Sequence, residues 1–387
     1  MIRSNDIKDL VKNSLISISI SLGIIFSLEI IYRFLRSENF SFSLINQERL
    51  KFKKIAFDNK YTLKEIIQLN KSVGVNSSIS YKPWIQIGNQ NHQNEYSIVE
   101  NGNRKTINSK IECDQKKVIW FFGGSTTYGN GVRWNETLPS MFAEELNNNN
   151  ICAKVINFGV PFHYSLQESF YMAIEIAKAD RPKPDYIFFI DGLNDFIQIG
   201  SSIKKEPFFT PIITKFFDSD PKLRLNLHKP IFSINLTFID YLKRKSGLGL
   251  STSNYQNPYK FSNEKETTKK IINNIFNSNK FRSNICQIYQ IKCYQFLQPV
   301  PFLYYEKNYD EKLTVSKSNE MENRFSVGYN MILRSRDEDS LRGIKIFNSS
   351  NIFLNYMNGI PYIDSFHYSP RGNKYFAENI YKIVFSK

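Results

Sequence analysis

Apolar runs and amphipathic stretches alternate along the chain from Lys117 to the C-terminus. The segments KVIWFF, AKVINFG, DYIFFIDG and KCYQFLQPV are largely apolar, as are strands that are buried on both faces of a parallel sheet. Between them lie segments such as TLPSMFAEELNN and SLQESFYMAIEIAKA, whose spacing of apolar residues favours helices. This alternation predicts an α/β fold with a central parallel sheet covered by helices on both faces.

The pattern differs in two other regions. Residues 37–116 are polar and mixed, with one helical stretch and a hairpin signal at Asn101-Gly102, and we interpret them as an extension packed on the main domain. That domain is predicted over residues 117–387. Within it, residues 197–290 are too long for an ordinary connection, and we interpret them as an insertion that either shapes the substrate site or only elaborates the surface.

The N-terminus contains an uncharged apolar run at residues 13–28. Extended to residue 35, this run matches a bilayer-spanning helix, which needs about 20 residues. A cleaved signal peptide is the alternative, but bulky residues follow the apolar run where a cleavage site needs small ones. We therefore predict that residues 1–36 are a retained single-pass anchor that contacts the membrane through residues 13–35. Cationic residues flank both ends, and we expect the large domain on the extracytoplasmic side.

Charge and cysteine content narrow the classes of partner and cofactor. The formal charge is +15, which favours anionic partners, yet no nucleic-acid motif accompanies the short basic clusters, and we predict no nucleic-acid partner. The chain has no CxxC pair and no HExxH motif, so we predict no metal site. Cys113 and Cys152 precede neighbouring predicted strands and can pair in an oxidising compartment; four free thiols are the alternative.

The segment GSTTYGNG directly follows the first predicted strand. It lacks the Lys of a phosphate-binding loop, the G-x-G-x-x-G of a dinucleotide site and the G-x-S-x-G elbow of the α/β-hydrolases. What remains is Ser125, presented at the end of a strand among small residues that let a substrate carbonyl approach.

Three other segments are predicted to end at the same edge of the sheet, because right-handed crossovers align the carboxyl ends of parallel strands. Gly159 closes the second strand and can offer a backbone N–H, and Asn194 follows the third strand with a side-chain amide. Asp364 and His367 lie three residues apart, just before the helix that Ser369 is predicted to cap.

These blocks resemble those of the SGNH (GDSL-type) hydrolase family. The family's G-D-S-x-T-x-G block is matched by GGSTTYG at residues 123–129, with Gly124 in place of the Asp. Gly159 matches the glycine of its second block. Its G-x-N-D and D-x-x-H blocks are matched in full at residues 192–195 and 364–367.

The resemblance covers about residues 95–196 and 292–387. It implies a three-layer, flavodoxin-like fold and a hydrolase that needs neither a metal nor an organic cofactor. Because the Asp that Gly124 replaces is not a catalytic group in the family, we expect this departure to matter little for the chemistry.

The same resemblance assigns a role to each residue. A serine hydroxyl needs a neighbouring base to become a nucleophile, so Ser125 is the expected nucleophile, His367 the base and Asp364 the group that orients the ring. The oxyanion is expected to accept hydrogen bonds from the backbone N–H groups of Ser125 and Gly159 and from the side-chain amide of Asn194. Supporting positions are Gly124, Thr127, Gly192 and Asp195.

The sequence therefore predicts a membrane-anchored serine esterase that removes an O-acyl group, such as acetyl, from an envelope glycan or a similar ester. An O-acyltransferase with the same triad is one alternative, because the two activities differ only in what attacks the acyl-enzyme. A catalytically silent glycan-binding module is the other, and the intact triad and Asn194 argue against it. The acyl group, the acceptor and the oligomeric state are not determined by the sequence.

Overall fold

The computed structural model describes residues 47–73, 79–199, 264–301, 303, 319–339, 343–354 and 359–386, together with residues 17, 23 and 27. The chain divides into two compact units, one of residues 1–48 and 215–257 and the other of residues 49–214 and 258–387. Nearly all of the described residues belong to the second unit, which contains the sheet and the candidate site.

Residues 47–104 form two helices and five short strands. In chain order these are α1 (Gln47–Ala56), α2 (Leu63–Ser72), β1 (Ile79–Lys82), β2 (Gln86–Asn89), β3 (His92–Gln93), β4 (Ile98–Glu100) and β5 (Asn103–Arg104). The predicted hairpin at Asn101-Gly102 is confirmed: it joins β4 to β5, and its two residues have φ of 53° and 75°, as a two-residue turn of this type requires.

The alternating part of the chain follows. Its elements are β6 (Lys117–Gly123), α3 (Ser125–Tyr128), α4 (Leu138–Asn148), β7 (Ala153–Asn157), α5 (Ser165–Ala177), β8 (Tyr186–Asp191), α6 (Glu264–Ile288), β9 (Lys292–Leu297), α7 (Asn319–Asp339), β10 (Ile346–Asn348) and α8 (Pro370–Val384). A 3-10 turn at Trp134–Glu136 and a π-helical turn at Asp195–Ile199 complete it.

The main sheet has the strand order β10-β9-β8-β6-β7-β5-β4-β3. Its first five strands are parallel, and β5, β4 and β3 continue it in antiparallel fashion. Among the parallel strands the order is second, first, third, fourth, fifth, which is the flavodoxin-like arrangement. The strand order reverses between β6 and β8, and ligands of such folds bind outside the strand ends at that point. The predicted α/β fold with a central parallel sheet is confirmed.

Two apolar clusters cover opposite faces of the sheet. Along β6, Ile119 and Phe121 pack with residues of α4 and α8, whereas Trp120 and Phe122 pack with residues of α5 and α6, because successive side chains of a strand point to opposite faces. All four are buried, and each such side chain contributes about 1.5–3 kcal/mol by leaving water. The helices therefore form the two outer layers of a three-layer structure.

The predicted 37–116 extension is part of the main sheet. β5 pairs with β7 through Arg104 and Asn157, so three strands of the extension lengthen the sheet as well as packing on it. A strand pair of this kind leaves no signal in the apolar pattern, since β5 is only two residues long.

The predicted 197–290 insertion ends in a helix that belongs to the core of the fold. α6 connects β8 to β9, and its residues Ile271, Ile275 and Cys286 are buried. It is the crossover helix that a parallel strand pair needs, so the alternation is interrupted over a shorter segment than predicted. The rest of the insertion, residues 200–263, lies outside the described residues, and its role stays a prediction.

All four cysteines form disulfides. Cys113 pairs with Cys152, the pair considered from the sequence, and Cys286 pairs with Cys293, which was not predicted. The alternative of four free thiols is therefore wrong. The cysteines of the second pair are seven residues apart and lie on either side of the turn between α6 and β9, which brings the end of the helix beside the start of the strand.

The predicted membrane anchor at residues 13–35 lies almost wholly outside the described residues. Within it, residues 17, 23 and 27 are helical, and the Ser27 hydroxyl donates a hydrogen bond of 2.8 Å to the Gly23 carbonyl. No helix in the described part of the chain combines the length and the apolar character that crossing a bilayer requires.

Candidate active site

Ser125, His367 and Asp364 form one hydrogen-bonded chain at the carboxyl edge of the sheet. Ser125 Oγ lies 2.9 Å from His367 Nε2. On the other side of the ring, His367 Nδ1 lies 2.9 Å from each carboxylate oxygen of Asp364. The structure thus brings into direct contact a serine and a histidine that are 242 positions apart in the sequence.

Ser125 occupies the first position of the one-turn helix α3, immediately after β6. Gly124 is its N-cap, and Gly129 ends the helix in the left-handed region with φ of 86°, a conformation that favours glycine. The hydroxyl therefore stands at the point where the chain leaves the sheet, as the small residues of this turn predicted.

Arg104 of β5 holds the far end of this turn. Its guanidinium donates to the carbonyls of Tyr128 (3.1 Å), Gly129 (2.7 Å) and Val132 (2.7 Å) and lies over the Tyr128 ring at 4.5 Å. Burial lowers the pKa of Arg104 to about 10, and within the described residues no carboxylate pairs with it. Sequence reasoning missed Arg104, because nothing around it distinguishes it from other basic residues.

Asp364 is held as an acceptor by its own turn. The backbone N–H groups of Phe366 and His367 each donate to Asp364 Oδ1 at 2.9 Å. Burial tends to raise the pKa of Asp364, but the charge of His367 and the hydrogen bonds outweigh it and hold the pKa well below its ordinary value. An ionised carboxylate can only accept, so Nδ1 of the ring carries a proton, and in the neutral form of the ring Nε2 can accept from Ser125.

The helix start behind His367 is as predicted. Ser369 caps α8 by accepting from the Gly372 N–H at 3.1 Å, and Pro370 is the first residue of the helix. The backbone of His367 is held as well, since its carbonyl accepts from the Ile363 N–H at 2.9 Å. The ring therefore has a fixed position relative to α8.

Asn194 follows β8 and lies against the serine turn. Its Nδ2 donates to the His163 carbonyl at 2.6 Å, which leaves the second N–H of the amide without a partner among the described residues. A Cβ at position 124 would overlap this amide nitrogen. Gly124 thus leaves room for the Asn194 amide in its present position, and the expectation that the change from the family's Asp matters little for the chemistry stays a prediction.

Gly159 does not present an open N–H. Its N–H donates to Asn157 Oδ1 at 2.9 Å, while Asn157 Nδ2 donates to the carbonyl of the buried Thr127 at 2.9 Å. Asn157 was not predicted as a site residue, because in the sequence it is only the last residue of a strand. A glycine is needed at position 159 because a Cβ would overlap the backbone between Thr127 and Tyr128.

Asp195 braces the turn that carries Asn194. Its Oδ1 accepts from the Ser165 N–H (3.2 Å) and hydroxyl (2.5 Å), and its Oδ2 accepts from the Gly192 N–H (3.3 Å). Gly192 itself has φ of 119° and packs against the hydroxyl of Tyr329. These contacts fit the supporting positions that the sequence analysis assigned to Gly192 and Asp195.

Beneath this turn lies a buried charge cluster, defined as Arg282, Asp191, Glu168 and Asp195. Arg282 pairs with Asp191 (2.5 Å) and Glu168 (3.3 Å), and all four side chains are buried. Burial and the charge of Asp191 raise the pKa of Asp195 to about 6, and burial raises that of Glu168. Sequence reasoning missed Arg282, which falls within the predicted insertion.

No protein-family profile matches the chain, and no curated protein matches it. Solved structures of similar fold include an acetyl xylan esterase, AlAXEase, at 15% identity over 69% of this chain and 100% of that chain, with a TM-score of 0.38. A lipolytic G-D-S-L family member from Veillonella parvula shares 10% identity over 70% of this chain and 99% of that one (TM-score 0.39). Esterase EstA from Pseudoalteromonas sp. shares 12% identity over 70% of this chain and 98% of that chain, with a TM-score of 0.35.

The overlap between position 124 and Asn194 yields a first prediction. Gly124→Ala should displace the Asn194 amide and lower the rate of aryl acetate cleavage, the activity expected from the sequence, by roughly two to three powers of ten, the value of one oxyanion donor. Asn194→Ala removes the same amide, so the double variant should be little slower than either single variant. Full activity of Gly124→Ala, or losses that multiply in the double variant, would contradict this coupling.

The raised pKa of Asp195 yields a second prediction. Because this pKa rises from 3.8 to about 6 on folding, the folded state holds the proton more tightly, and stability falls as pH rises from about 4 through about 6. Between about pH 5 and pH 7.5 the fall should be roughly 1 kcal/mol. Urea unfolding across this range should show a smaller fall for Asp195→Asn. Loss of the hydrogen bond from the Gly192 N–H lowers the free energy of unfolding of Asp195→Asn by the same amount at every pH. Equal slopes of the free energy of unfolding against pH in the two proteins would therefore refute the assignment of the raised pKa to Asp195.

Proposed function

We propose that this protein is a serine esterase of the SGNH type, with Ser125 as nucleophile, His367 as base and Asp364 as the group that orients the ring. The observation that carries the proposal is the continuous hydrogen-bonded chain from Ser125 Oγ through the His367 ring to Asp364, with each link at 2.9 Å. It lies at the strand-order switch point of the sheet, where folds of this kind bind ligands.

In this proposal, His367 Nε2 takes the hydroxyl proton as Ser125 Oγ attacks the acyl carbon of the ester. The imidazolium that forms is stabilised by the ionised Asp364. It then returns the proton to the departing alcohol, which leaves an acyl group on Ser125. A water molecule, deprotonated by His367, attacks that acyl group, and the acid is released with the serine restored.

Attack by Ser125 places negative charge on the former carbonyl oxygen, which hydrogen-bond donors must stabilise. In this proposal two groups supply these hydrogen bonds. The Ser125 N–H is at the start of α3, where helical N–H groups lack an intrahelical partner. The second N–H of the Asn194 amide is the other donor. The Gly159 N–H joins them only if it shares its proton between Asn157 and the oxyanion, so we assign it the smaller role.

For the substrate we propose an O-acyl group, such as acetyl, on an envelope glycan, as the sequence resemblance suggests. For location we propose a single-pass anchor at residues 13–35 with the catalytic unit on the extracytoplasmic side. The two disulfides support an oxidising compartment, because such bonds are rare in reducing cytosol.

The esterase proposal predicts the behaviour of two variants. The full chain in detergent should cleave an aryl acetate. Ser125→Ala should abolish nearly all of this cleavage because no acyl-enzyme can form, and Asn194→Ala should lower kcat by roughly two to three powers of ten. Ser386→Ala, at the exposed end of the chain, is the matched control and should have full activity.

Covalent labelling tests the same proposal independently of turnover. A reactive phosphonate ester should attach to Ser125, as located by peptide mass spectrometry, and His367→Asn should suppress the labelling because the base is gone. Cleavage by Ser125→Ala at the wild-type rate, or phosphonate on a different serine, would remove Ser125 from the mechanism and favour the silent glycan-binding module.

The competing transferase activity predicts a different product. With an aryl acetate as donor and glycan fragments as acceptors, a hydrolase should release free acetate at a rate that the acceptors do not change. Acylated glycan that forms faster than acetate would instead identify an O-acyltransferase. Chromatography of the glycan and enzymatic assay of acetate measure the two products in the same reaction.

A further inference from the structure

Two clefts lie on the β5 side of the main sheet, next to the candidate site. The first, of about 730 Å³, is bounded by the hairpin of β1 and β2, the turn between β4 and β5, and α5. The second, of about 1090 Å³, follows β5 and β7. Both are lined by Asn101 and Lys178, so the two clefts adjoin, and together we call them the lateral groove.

The first cleft presents an outward-facing indole among amides. Trp84, in the turn between β1 and β2, is 83% exposed and has φ of 71°, a conformation that is strained for a bulky residue. Strain of this kind persists where surrounding structure holds it and often marks a binding site. Asn89, Asn91 and Asn101 line the same cleft, along with Glu175.

This set of groups suits a sugar ring. The apolar C–H face of a pyranose stacks on an aromatic ring, whose amphipathic surface suits such contacts, and ring hydroxyls bond to amides and carboxylates. Glu175 is buried and ion-paired with Lys178 (2.5 Å) and Arg181 (2.8 Å), so the polar groups that a sugar can reach are the exposed amides of Asn91 and Asn101.

The second cleft is basic. Seven cationic side chains line the lateral groove against three carboxylates. Among the described residues, Lys105, Lys116 and Lys154 have no carboxylate within ion-pair distance, and Lys116 and Lys154 are exposed. Charges of one sign that line a cleft concentrate ligands of the opposite sign there.

The lateral groove begins at the edge of the sheet that carries Ser125. β5 runs antiparallel to β7 with Arg104 opposite Asn157, so the turn at residues 101–102 lies at the carboxyl end of β7. Asn89, in the wall of the first cleft, donates to the Gly159 carbonyl at 2.9 Å. From there the groove follows β7, whose five residues span about 16 Å, a length that accommodates more than one sugar unit.

We propose that the lateral groove binds an acidic polysaccharide chain, with one sugar ring stacked on Trp84 and the carboxylate or phosphate groups of the following units beside Lys116 and Lys154. Single-stranded nucleic acid also needs aromatic and basic groups, but it stacks successive bases on several rings, whereas Trp84 is the one aromatic residue exposed in the groove among the described residues. Binding here does not depend on ester cleavage.

The test measures binding in the Ser125→Ala background, so that ester chemistry cannot change the probe. Polygalacturonate, alginate and hyaluronate are titrated into the full chain in detergent, with tryptophan fluorescence and calorimetry as readouts. At least one should bind, and more weakly as salt is added. Trp84→Ala and the double change Lys116→Gln with Lys154→Gln should each weaken binding by about tenfold or more, as central contacts do.

Matched controls separate this site from general surface effects. Phe170→Ala removes an exposed aromatic of α5, and Lys374→Gln with Lys382→Gln removes two exposed charges of α8; neither should change affinity. When Ser125 is retained, the lateral-groove variants should cleave aryl acetate at the wild-type rate. Failure of the esterase proposal and failure of the binding proposal are therefore distinguishable.

Several results would overturn the proposal. No binding of any of the three polymers would do so, as would equal binding of fully methyl-esterified polygalacturonate, because charge would then play no part. Binding of anionic phospholipid vesicles or single-stranded DNA instead of the polysaccharides, with the same loss in the variants, would assign the lateral groove to a membrane surface or to nucleic acid.

Discussion

The parallel pairing of β6 with β7 and β8 is the constraint on which the rest of this structure depends. It places the carboxyl ends of three strands side by side, and each delivers one group to the same edge: Ser125 after β6, Gly159 after β7 and Asn194 after β8. Because the chain winds in opposite directions from β6, a space opens there. His367 enters this space from the segment before α8, and its Nε2 reaches Ser125 at 2.9 Å.

Two glycines allow close contacts around the serine turn. Gly124 leaves room for the Asn194 amide, and Gly159 lets the loop after β7 lie against the backbone of α3. A methyl group at position 124 would meet the end of the Asn194 side chain, whereas a methyl group at position 159 would meet backbone atoms and push the loop away from α3.

Two buried arginines support the site in different ways. Arg104 has no carboxylate partner among the described residues and satisfies its charge with three backbone carbonyls at the end of the serine turn. Arg282 lies in the buried charge cluster below the Asn194 turn, where it pairs with Asp191 and Glu168. Removing either would leave buried acceptors or charges unpaired, which costs more than the original pair contributes. Both elements that supply them, β5 and α6, are outside the four motif blocks.

By itself the sequence determined the features that local pattern controls. The alternation of strands and helices, the hairpin at Asn101-Gly102 and the cap at Ser369 depend on neighbouring residues, and the structure has each of them. Only the tertiary structure decided which groups meet across long separations. The core position of α6 and the contacts of Arg104 and Arg282 arise from packing between elements that are distant in the sequence. Such contacts depend on three-dimensional distance, which leaves no periodic signal along the chain.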